Sequence, residues 1–364
     1  MKRVLLIFFI SLAVFILVAK YLSLSADEKV EFLDIDFESF SSSDVEETAK
    51  YFSPINIKYL RTLKYDFGKP MIEEELPDGS NYKRYIVSYK SYGYKIYGLL
   101  TVPNEEPPEG GFSAIVFNHG YIPPHQYATT EKYVSYVDNL AKNGFVVFKI
   151  DLRGHGKSEG TPSSSYFSPV YMMDALNALK SLQKLDYVNP DKIGMWGHSM
   201  SGNLVLRAML VSDEIKAGVI WSGAVYSYKD FSEYGLHDTS YVRSPRTPEE
   251  EEAERDREPT RTDLEIQKLM NNPEEIDFDD EFWAGISLTK NIEYLENPVQ
   301  LHHAVNDPVV DISYSRDLEK VLIENDKEYE FYEYEGGGHN IESPHFETAM
   351  QRTVDFFNEN LESE

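Results

Sequence analysis

The segment from Gly197 to Gly202 contains the residue types that a nucleophilic serine needs. It reads Gly-His-Ser-Met-Ser-Gly, and it lies between the short apolar run Ile193–Trp196 and an apolar pattern of helical period. A sharp turn from a strand into a helix needs small neighbours, and it lifts the central hydroxyl, that of Ser199, towards the helix N-terminus. The usual final glycine of such a turn is Ser201 here, which is small enough for the turn. The alternative is that Ser199 only caps the helix.

A serine hydroxyl is a weak nucleophile, so it needs a base that a carboxylate orients. Two apolar runs late in the chain, Val299–Ala304 and Tyr329–Tyr334, predict strands. Asp307 follows the first run, and His339 follows the second after three glycines that let the loop turn back over the sheet edge. The order serine, aspartate, histidine matches one known arrangement of a triad. We therefore predict Ser199, Asp307 and His339 as the catalytic residues.

Each of the last two assignments has a competitor nearby. Asp311 is the alternative acid, but it stands where it would cap the helix that follows. His345 is the alternative base, but it stands where the last helical pattern begins.

The oxyanion of an acyl-transfer reaction needs two backbone donors. One is predicted at Met200, directly after the candidate nucleophile. The other should come from the loop after the run Ala114–Phe117, which continues as Asn118-His119-Gly120-Tyr121. The sequence therefore predicts an oxyanion hole built from the N–H groups of Tyr121 and Met200.

No cofactor and no metal is predicted. The chain has no cysteine, which excludes disulfides, zinc–cysteine sites and a cysteine nucleophile. His302 and His303 are adjacent in a predicted strand, so their side chains should point to opposite faces, which is poor metal geometry. No dinucleotide or phosphate-binding fingerprint is present, because the glycines before His339 open no such motif.

The elements that must position these residues alternate along the chain. Arg84–Tyr89 and Lys95–Val102 alternate around Ser91-Tyr92-Gly93, which predicts an antiparallel hairpin. Further apolar runs then alternate with helical patterns, which favours a mostly parallel sheet with helices on both faces. The remaining predicted strands are Val146–Ile150 and Ala217–Trp221, and the predicted helices are Tyr133–Lys142, Tyr171–Leu182, Ser201–Val211, Ser313–Glu324 and Phe346–Leu361.

The N-terminus predicts an export signal or a membrane anchor over residues 1–25. Lys2 and Arg3 precede the apolar run Val4–Ala19, and acidic residues follow from Asp27. Cleavage after Ser25 is possible, but the length of the run favours retention as a single-pass anchor. The positive-inside tendency then predicts that the catalytic domain is anchored in the membrane and lies outside the cytoplasm, or is secreted if the signal is cleaved.

Residues 26–82 show no clear period and are predicted as a stalk or N-terminal extension, with residues 83–364 as the catalytic domain. Residues 223–297 form a long insertion between two predicted strands, which is typical of a lid. The insertion holds 20 Asp or Glu against 8 Lys or Arg, a net charge of −12. Its aromatic residues predict either a substrate pocket or the core of the lid itself; they are Tyr226, Tyr228, Phe231, Tyr234, Phe282 and Trp283.

The whole chain is strongly acidic. Its 364 residues carry a formal net charge of −27, so binding to nucleic acid is not expected. The hydrophobic share of 41% allows a sizeable core, which excludes global disorder. The oligomeric state is not encoded in any feature of the sequence.

Three segments together resemble the α/β-hydrolase superfamily, and most closely the catalytic domain of the prolyl oligopeptidase family. They are Phe117–Gly120, Asp151–Ser158 (Asp-Leu-Arg-Gly-His-Gly-Lys-Ser) and Gly197–Gly202. The resemblance implies an α/β-hydrolase fold and a serine hydrolase, with Asp151–Ser158 shaping the site. The resemblance is not expected to extend to the family's β-propeller, because the segment from Asp27 to Tyr82 is too short for four blades.

These observations lead to one main hypothesis and two alternatives. The main hypothesis is a serine-type peptidase-like enzyme that acts on short peptides through an acyl-enzyme intermediate. A carboxylesterase of small acyl esters is the first alternative, because an open site admits such substrates equally well. The second is a non-catalytic, membrane-tethered binding protein. The acidic lid should disfavour anionic substrates of either kind.

Overall fold

A nine-stranded sheet is the centre of the computed structural model, which describes residues 54–66, 68–237 and 261–362. The strands lie in the order β1-β2-β3-β5-β4-β6-β7-β8-β9. Their bounds are β1 Met71–Leu76, β2 Tyr82–Ser91, β3 Tyr94–Pro103, β4 Phe112–Asn118, β5 Val146–Ile150, β6 Val188–His198, β7 Gly218–Trp221, β8 Val299–Ala304 and β9 Tyr329–Tyr334.

Strands β4 to β9 are all parallel, and β1, β2 and β3 add antiparallel pairs at one edge. Every residue of β4, β5 and β8 is buried, because helices cover both faces of a parallel sheet. The predicted α/β fold with a mostly parallel sheet is confirmed.

The predicted hairpin is present between β2 and β3, which pair from Tyr82 with Pro103 to Ser91 with Tyr94. The two turn residues, Tyr92 and Gly93, have φ values of 44° and 83°. Positive φ at both central residues is the geometry of the tight turn that matches strand twist.

Helices pack on the two faces of the sheet and enclose two apolar layers. Val116 of β4 belongs to the layer that contains residues of the helices Val170–Leu182, Met200–Val211 and Ser313–Glu324. Ile115 belongs to the layer under the helices Val134–Lys142 and Phe346–Glu362. This alternation follows from the two-residue period of a strand. The helices are α1 Ile57–Leu60, α2 Val134–Lys142, α3 Val170–Leu182, α4 Met200–Val211, α5 Tyr228–Tyr234, α6 Arg261–Asn271, α7 Glu281–Ile286, α8 Ser313–Glu324 and α9 Phe346–Glu362.

The described part of the N-terminal extension belongs to this folded unit. Ile57 and Leu60 of α1 are fully buried in the larger apolar layer, and β1 pairs with β2 at the edge of the sheet. Residues 26–82 were predicted as a stalk or N-terminal extension, and the described residues from 54 onward pack against the rest of the folded unit. The signal segment 1–25 and the extension up to residue 53 lie outside the described residues.

The insertion 223–297 contributes α5, α6 and α7, and its residues 238–260 lie outside the described ranges. Tyr226, Tyr228, Phe282 and Trp283 are buried in the larger apolar layer, and Phe231 and Tyr234 pack against it. The six aromatic residues thus belong to the apolar layer that the insertion shares with the rest of the fold. In the described residues, no helix combines the length and apolar character that crossing a membrane requires.

Candidate active site

Ser199 stands at the point where β6 ends and α4 begins. Its backbone has φ 57° and ψ −121°, a strained conformation for a residue with a side chain. The Ser199 N–H donates to Trp221 O on β7 at 2.8 Å, and the side chain makes no capping hydrogen bond. The Ser199 side chain therefore does not cap α4.

Two glycines make the turn possible. A Cβ on Gly197 would lie 2.4 Å from the backbone oxygen of Ser201, and one on Gly202 would lie 2.6 Å from Gly223 Cα. Ser201 replaces the usual final glycine without crowding. Its buried hydroxyl donates to the carbonyl of His119 at 2.6 Å, which fastens α4 to the loop after β4.

The loop after β4 is oriented by several hydrogen bonds around Gly120. Its N–H donates to the Tyr133 hydroxyl at 2.8 Å, and its carbonyl accepts from His119 Nδ1 at 2.7 Å. In a planar trans peptide the next N–H, that of Tyr121, points to the side opposite this carbonyl. The ring of His119 therefore sets the direction of the predicted oxyanion donor.

The segment Asp151–Ser158 forms hydrogen bonds with the same loop. The Leu152 N–H donates to His119 Nε2 at 3.4 Å, and His155 Nε2 donates to Ile122 O at 3.0 Å. The Asp151 carboxylate accepts from Tyr127 and Thr129, each at 2.6 Å. The segment shapes the loop, which is the role that the family resemblance implied.

Asp307 and His339 are brought together at the ends of β8 and β9. His339 Nδ1 donates to Asp307 Oδ2 at 2.8 Å, so Nε2 is the ring nitrogen left for proton exchange. His339 lies in the short helical turn Gly338–Asn340, which is held by a bond from the Gly338 N–H to Asn306 Oδ1 and by one from Tyr136 to Asn340 O. The loop after β8, which carries Asn306 and Asp307, and the helix α2, which carries Tyr136, thus fix the orientation of the imidazole.

The Asp307 carboxylate is buried and stays ionised. Burial alone would raise its pKa, but hydrogen bonds from His303 and His339 outweigh burial and hold the pKa well below its usual range. His303 Nε2 lies 3.3 Å from Asp307 Oδ2, and its Nδ1 accepts from Ser315 at 2.8 Å. Sequence reasoning considered His303 only as a poor metal ligand and missed this contact. No spacing rule would have shown it.

The loop of His339 lies directly against the residue before Ser199. His198 Nε2 donates to the His339 carbonyl at 2.9 Å, and the two imidazole centroids are 4.6 Å apart. The structure therefore gathers the three predicted catalytic residues at adjoining loops on the carboxyl ends of β6, β8 and β9. Met200 is the first residue of α4, where an N–H has no acceptor within its own helix.

The two competitors occupy structural positions. Asp311 Oδ1 accepts from the N–H of Ser313 at the start of α8, and His345 immediately precedes α9 and packs on Tyr334. His302 and His303 bind different partners on opposite sides of β8, the former through Tyr334 and Gln300. Within the described ranges, no group of three histidine or carboxylate side chains is arranged to hold a metal ion.

The comparison with protein families is decisive, because the model of the serine aminopeptidase S33 family matches residues 112–344, more than half of the chain. The chain belongs to this family. The matched range includes all three predicted catalytic residues and the loop after β4.

Curated relatives of this S33 chain align with it over only part of their length. The thiohydrolase aneE of Aspergillus aculeatus is 27% identical over 125 residues, which cover 34% of this chain and 36% of the relative. The putative hydrolase YtaP of Bacillus subtilis is 29% identical over 129 residues, which cover 30% of this chain and 43% of the relative. The chain thus matches less than half the length of these curated relatives.

Solved structures share the fold. An acylaminoacyl peptidase of Pyrococcus horikoshii superposes with a TM-score of 0.58 at 20% identity, covering 78% of this chain and 42% of that one. Acetyl xylan esterase 1 of Thermoanaerobacterium superposes with a TM-score of 0.57 at 15% identity, and the match covers 87% of this chain and 99% of the esterase. With the family membership, these neighbours identify the chain as an α/β-hydrolase and a serine hydrolase.

Proposed function

We propose that this S33 hydrolase transfers an acyl group from its substrate to Ser199 and then to water. His339 removes the proton of the Ser199 hydroxyl and returns it to the leaving group, and Asp307 holds the imidazole in the tautomer that this requires. The N–H groups of Tyr121 and Met200 stabilise the oxyanion. The observation that carries the proposal is the 2.8 Å bond between His339 and Asp307 beside the strained turn of Ser199.

An active-site-directed fluorophosphonate tests the nucleophile. The full-length chain should be labelled, and Ser199→Ala should not, because the probe reacts only with an activated serine. Ser201→Ala is the matched control within the same motif, since its hydroxyl is buried and donates to His119. Labelling that persists in Ser199→Ala, or that disappears only in Ser201→Ala, would refute the assignment.

We propose short peptides as the substrate class. Support comes from the family description, serine aminopeptidase, and from the acylaminoacyl peptidase among the structural neighbours. Small acyl esters are the second candidate, because acetyl xylan esterase 1 is covered over 99% of its length and the peptidase over only 42%. In both cases the insertion's net charge of −12, from 20 acidic and 8 basic residues, should disfavour anionic substrates.

One substrate panel separates these two classes. It compares p-nitrophenyl esters of increasing acyl length with aminoacyl and prolyl chromogenic peptides, all measured as kcat/KM with the same enzyme preparation. Hydrolysis of the peptides supports the first class. A kcat/KM confined to short acyl esters overturns it in favour of the carboxylesterase.

We also propose that residues 1–25 anchor the enzyme in a membrane with the catalytic domain outside the cytoplasm. The support is the basic pair before the apolar run Val4–Ala19 and the acidic residues after it. Cell fractionation combined with protease protection tests both parts. Full-length protein in the soluble cytosolic fraction would contradict export, and a secreted form that begins at Ala26 would contradict only the anchor.

A further inference from the structure

A chain of three hydrogen bonds connects the oxyanion loop, defined as residues 118–121, to the loop of His339. The Gly120 N–H donates to the Tyr133 hydroxyl at 2.8 Å, and that hydroxyl lies 2.7 Å from His198 Nδ1. On its other side, the His198 ring places Nε2 2.9 Å from the carbonyl of His339. This series of hydrogen bonds therefore passes through the N-terminus of α2 and the turn that carries Ser199.

With the His198 ring neutral, the two ends of this series of hydrogen bonds fix the position of every proton in it. A carbonyl oxygen can only accept, so His198 Nε2 must carry the hydrogen. Nδ1 is then an acceptor and takes its hydrogen from the Tyr133 hydroxyl, which in turn accepts from the backbone N–H of Gly120. The neutral Nε2–H form of His198, which the burial of the ring favours, satisfies all three contacts.

Two features show that the contacts are built into the fold. A Cβ on Gly120 would lie 2.8 Å from the Tyr133 hydroxyl and 3.1 Å from His198 Nδ1, so this approach requires glycine. Tyr133 adopts φ 58° at the N-terminus of α2, a conformation that costs free energy for a residue with a large side chain. The tyrosine ring packs at 5.6 Å from Phe117, and at 5.7 Å from His198, which holds it in this strained position.

We propose that Tyr133 and His198 are positioning residues, which couple the oxyanion loop to the loop of His339 and so keep the oxyanion donors and the base at a fixed spacing. This inference rests on the proposed function. Oxyanion donors act only when they lie within about 0.2 Å of their best distance from the developing charge, near 2.9 Å, and the base must stay within hydrogen-bond reach of the serine. A rigid link between their loops meets both requirements together.

The surroundings of His198 keep the link intact during turnover. The ring is almost fully buried, and burial together with the neighbouring His339 lowers the pKa of His198 to about 3. His198 therefore stays neutral while His339, 4.6 Å away, gains and loses a proton. A protonated His198 would lose the acceptor that Tyr133 needs.

Steady-state kinetics of Tyr133→Phe in the full-length chain is the first test. Loss of the hydroxyl leaves Gly120 and His198 without their common partner, and misplacement of about 1 Å commonly costs 10²-fold, so we expect kcat to fall about 10- to 100-fold with KM changed less than about 3-fold. Tyr82→Phe is the matched control, because Tyr82 donates a 2.8 Å bond to Asp138 on the same helix, outside the site. A wild-type kcat for Tyr133→Phe would overturn the proposal.

Two substitutions of His198 separate positioning from simple filling of space. Gln keeps an amide donor and an acceptor, whereas Leu has a similar volume and neither, so His198→Gln should retain at least about tenfold more activity than His198→Leu. Adding Tyr133→Phe to His198→Leu should cost little more, because both act through one chain of contacts. Equal activity of the Gln and Leu variants, or additive losses in the double variant, would contradict the coupling.

Hydrogen exchange tests the link without any turnover. Tyr133→Phe should accelerate amide exchange in residues 336–341 as well as in 118–121, and Tyr82→Phe should accelerate neither segment. Unchanged exchange in 336–341 overturns the coupling even if the enzyme is active. Fluorophosphonate labelling of the wild type in the same preparation reports on the proposed function separately.

Discussion

Asp307 has four hydrogen-bond donors around one carboxylate. The N–H groups of Val309 and Val310 bind Oδ1 at 2.8 and 3.0 Å, and the imidazoles of His339 and His303 contact Oδ2. Four donors favour the ionised form, so the acid can stabilise an imidazolium at His339 without taking its proton. The same contacts leave the carboxylate a single orientation.

Replacing Asp307 with Asn should lower kcat/KM by about 10⁴-fold, because an amide donates where His339 needs an acceptor and so selects the wrong tautomer. Asp311→Asn is the matched control, since Asp311 binds only the start of α8, and it should keep kcat/KM within about threefold. Both values come from the same chromogenic assay. A larger loss for Asp311→Asn than for Asp307→Asn would transfer the role of the acid to Asp311.

At this scale, the sequence predicts residues that follow a local pattern and misses those defined by contact. Ser199, Asp307 and His339 each follow a short apolar run, and such a position can be read from the chain. Tyr133 and His198 depend on the approach of β4, β6 and α2, which are far apart in sequence. Their signal exists only in the three-dimensional arrangement.

The turn between β6 and α4 is the element on which the site depends most. β6 brings the chain to the centre of the sheet, and α4 leaves it at once with all twelve residues buried. Gly197 permits this because its backbone lies against the carbonyl of Ser201. Any side chain at this position must push the helix away from the strand.

Gly197→Ala should therefore lower the free energy of unfolding by about 3 kcal/mol, near the upper limit for overpacking, and should also reduce fluorophosphonate labelling. Gly336→Ala is the matched control, because a Cβ there meets nothing closer than His345 Nε2 at 3.9 Å. It should change the free energy by no more than about 0.5 kcal/mol. Urea unfolding of both variants provides the comparison, and equal stability would contradict the close approach at Gly197.

Elements with a strong period were predicted with close bounds, whereas irregular ones were not. Val146–Ile150, Val299–Ala304 and Ser313–Glu324 agree with the structure residue for residue. Strand β1 was missed because it lies at the edge with nearly all residues exposed, so its Met-Ile-Glu-Glu-Glu-Leu sequence has no apolar alternation. The buried α1 is only four residues long, too short to show a helical period.

For the molecule as a whole, the acidic surface contrasts with an interior that holds neutral histidines. Five histidines are almost fully buried, and in four of them burial is the first cause that lowers the pKa: His119, His155, His198 and His302. In an unfolded chain a histidine has a pKa of about 6.5. These residues are therefore protonated in the unfolded chain at a pH where they remain neutral in the folded one.

The direction of the pH effect follows from this difference. A histidine whose folded pKa is lowered contributes its full stability above pH 6.5, and the contribution is lost as the pH falls below that value towards the folded pKa. Asp151, Asp174 and Asp230 act in the opposite direction, because burial raises the pKa of all three carboxyls and favours proton uptake by the folded chain. Four such histidines outnumber the three carboxyls, so acid should destabilise the fold.

Between pH 7.5 and 5.5 we expect the free energy of unfolding to fall by about 1.4 kcal/mol for each histidine that stays neutral in the folded chain. Proton uptake by the three carboxyls makes the total fall smaller. Urea unfolding at the two pH values measures the change. His302→Gln removes one such histidine while keeping polar atoms beside Tyr334 and Gln300, so its loss over the same interval should be smaller by about 1.4 kcal/mol. An equal fall in the free energy of unfolding for this variant and the wild type would show that His302 titrates in the folded chain. A wild type equally stable at both pH values would contradict the prediction for all four histidines.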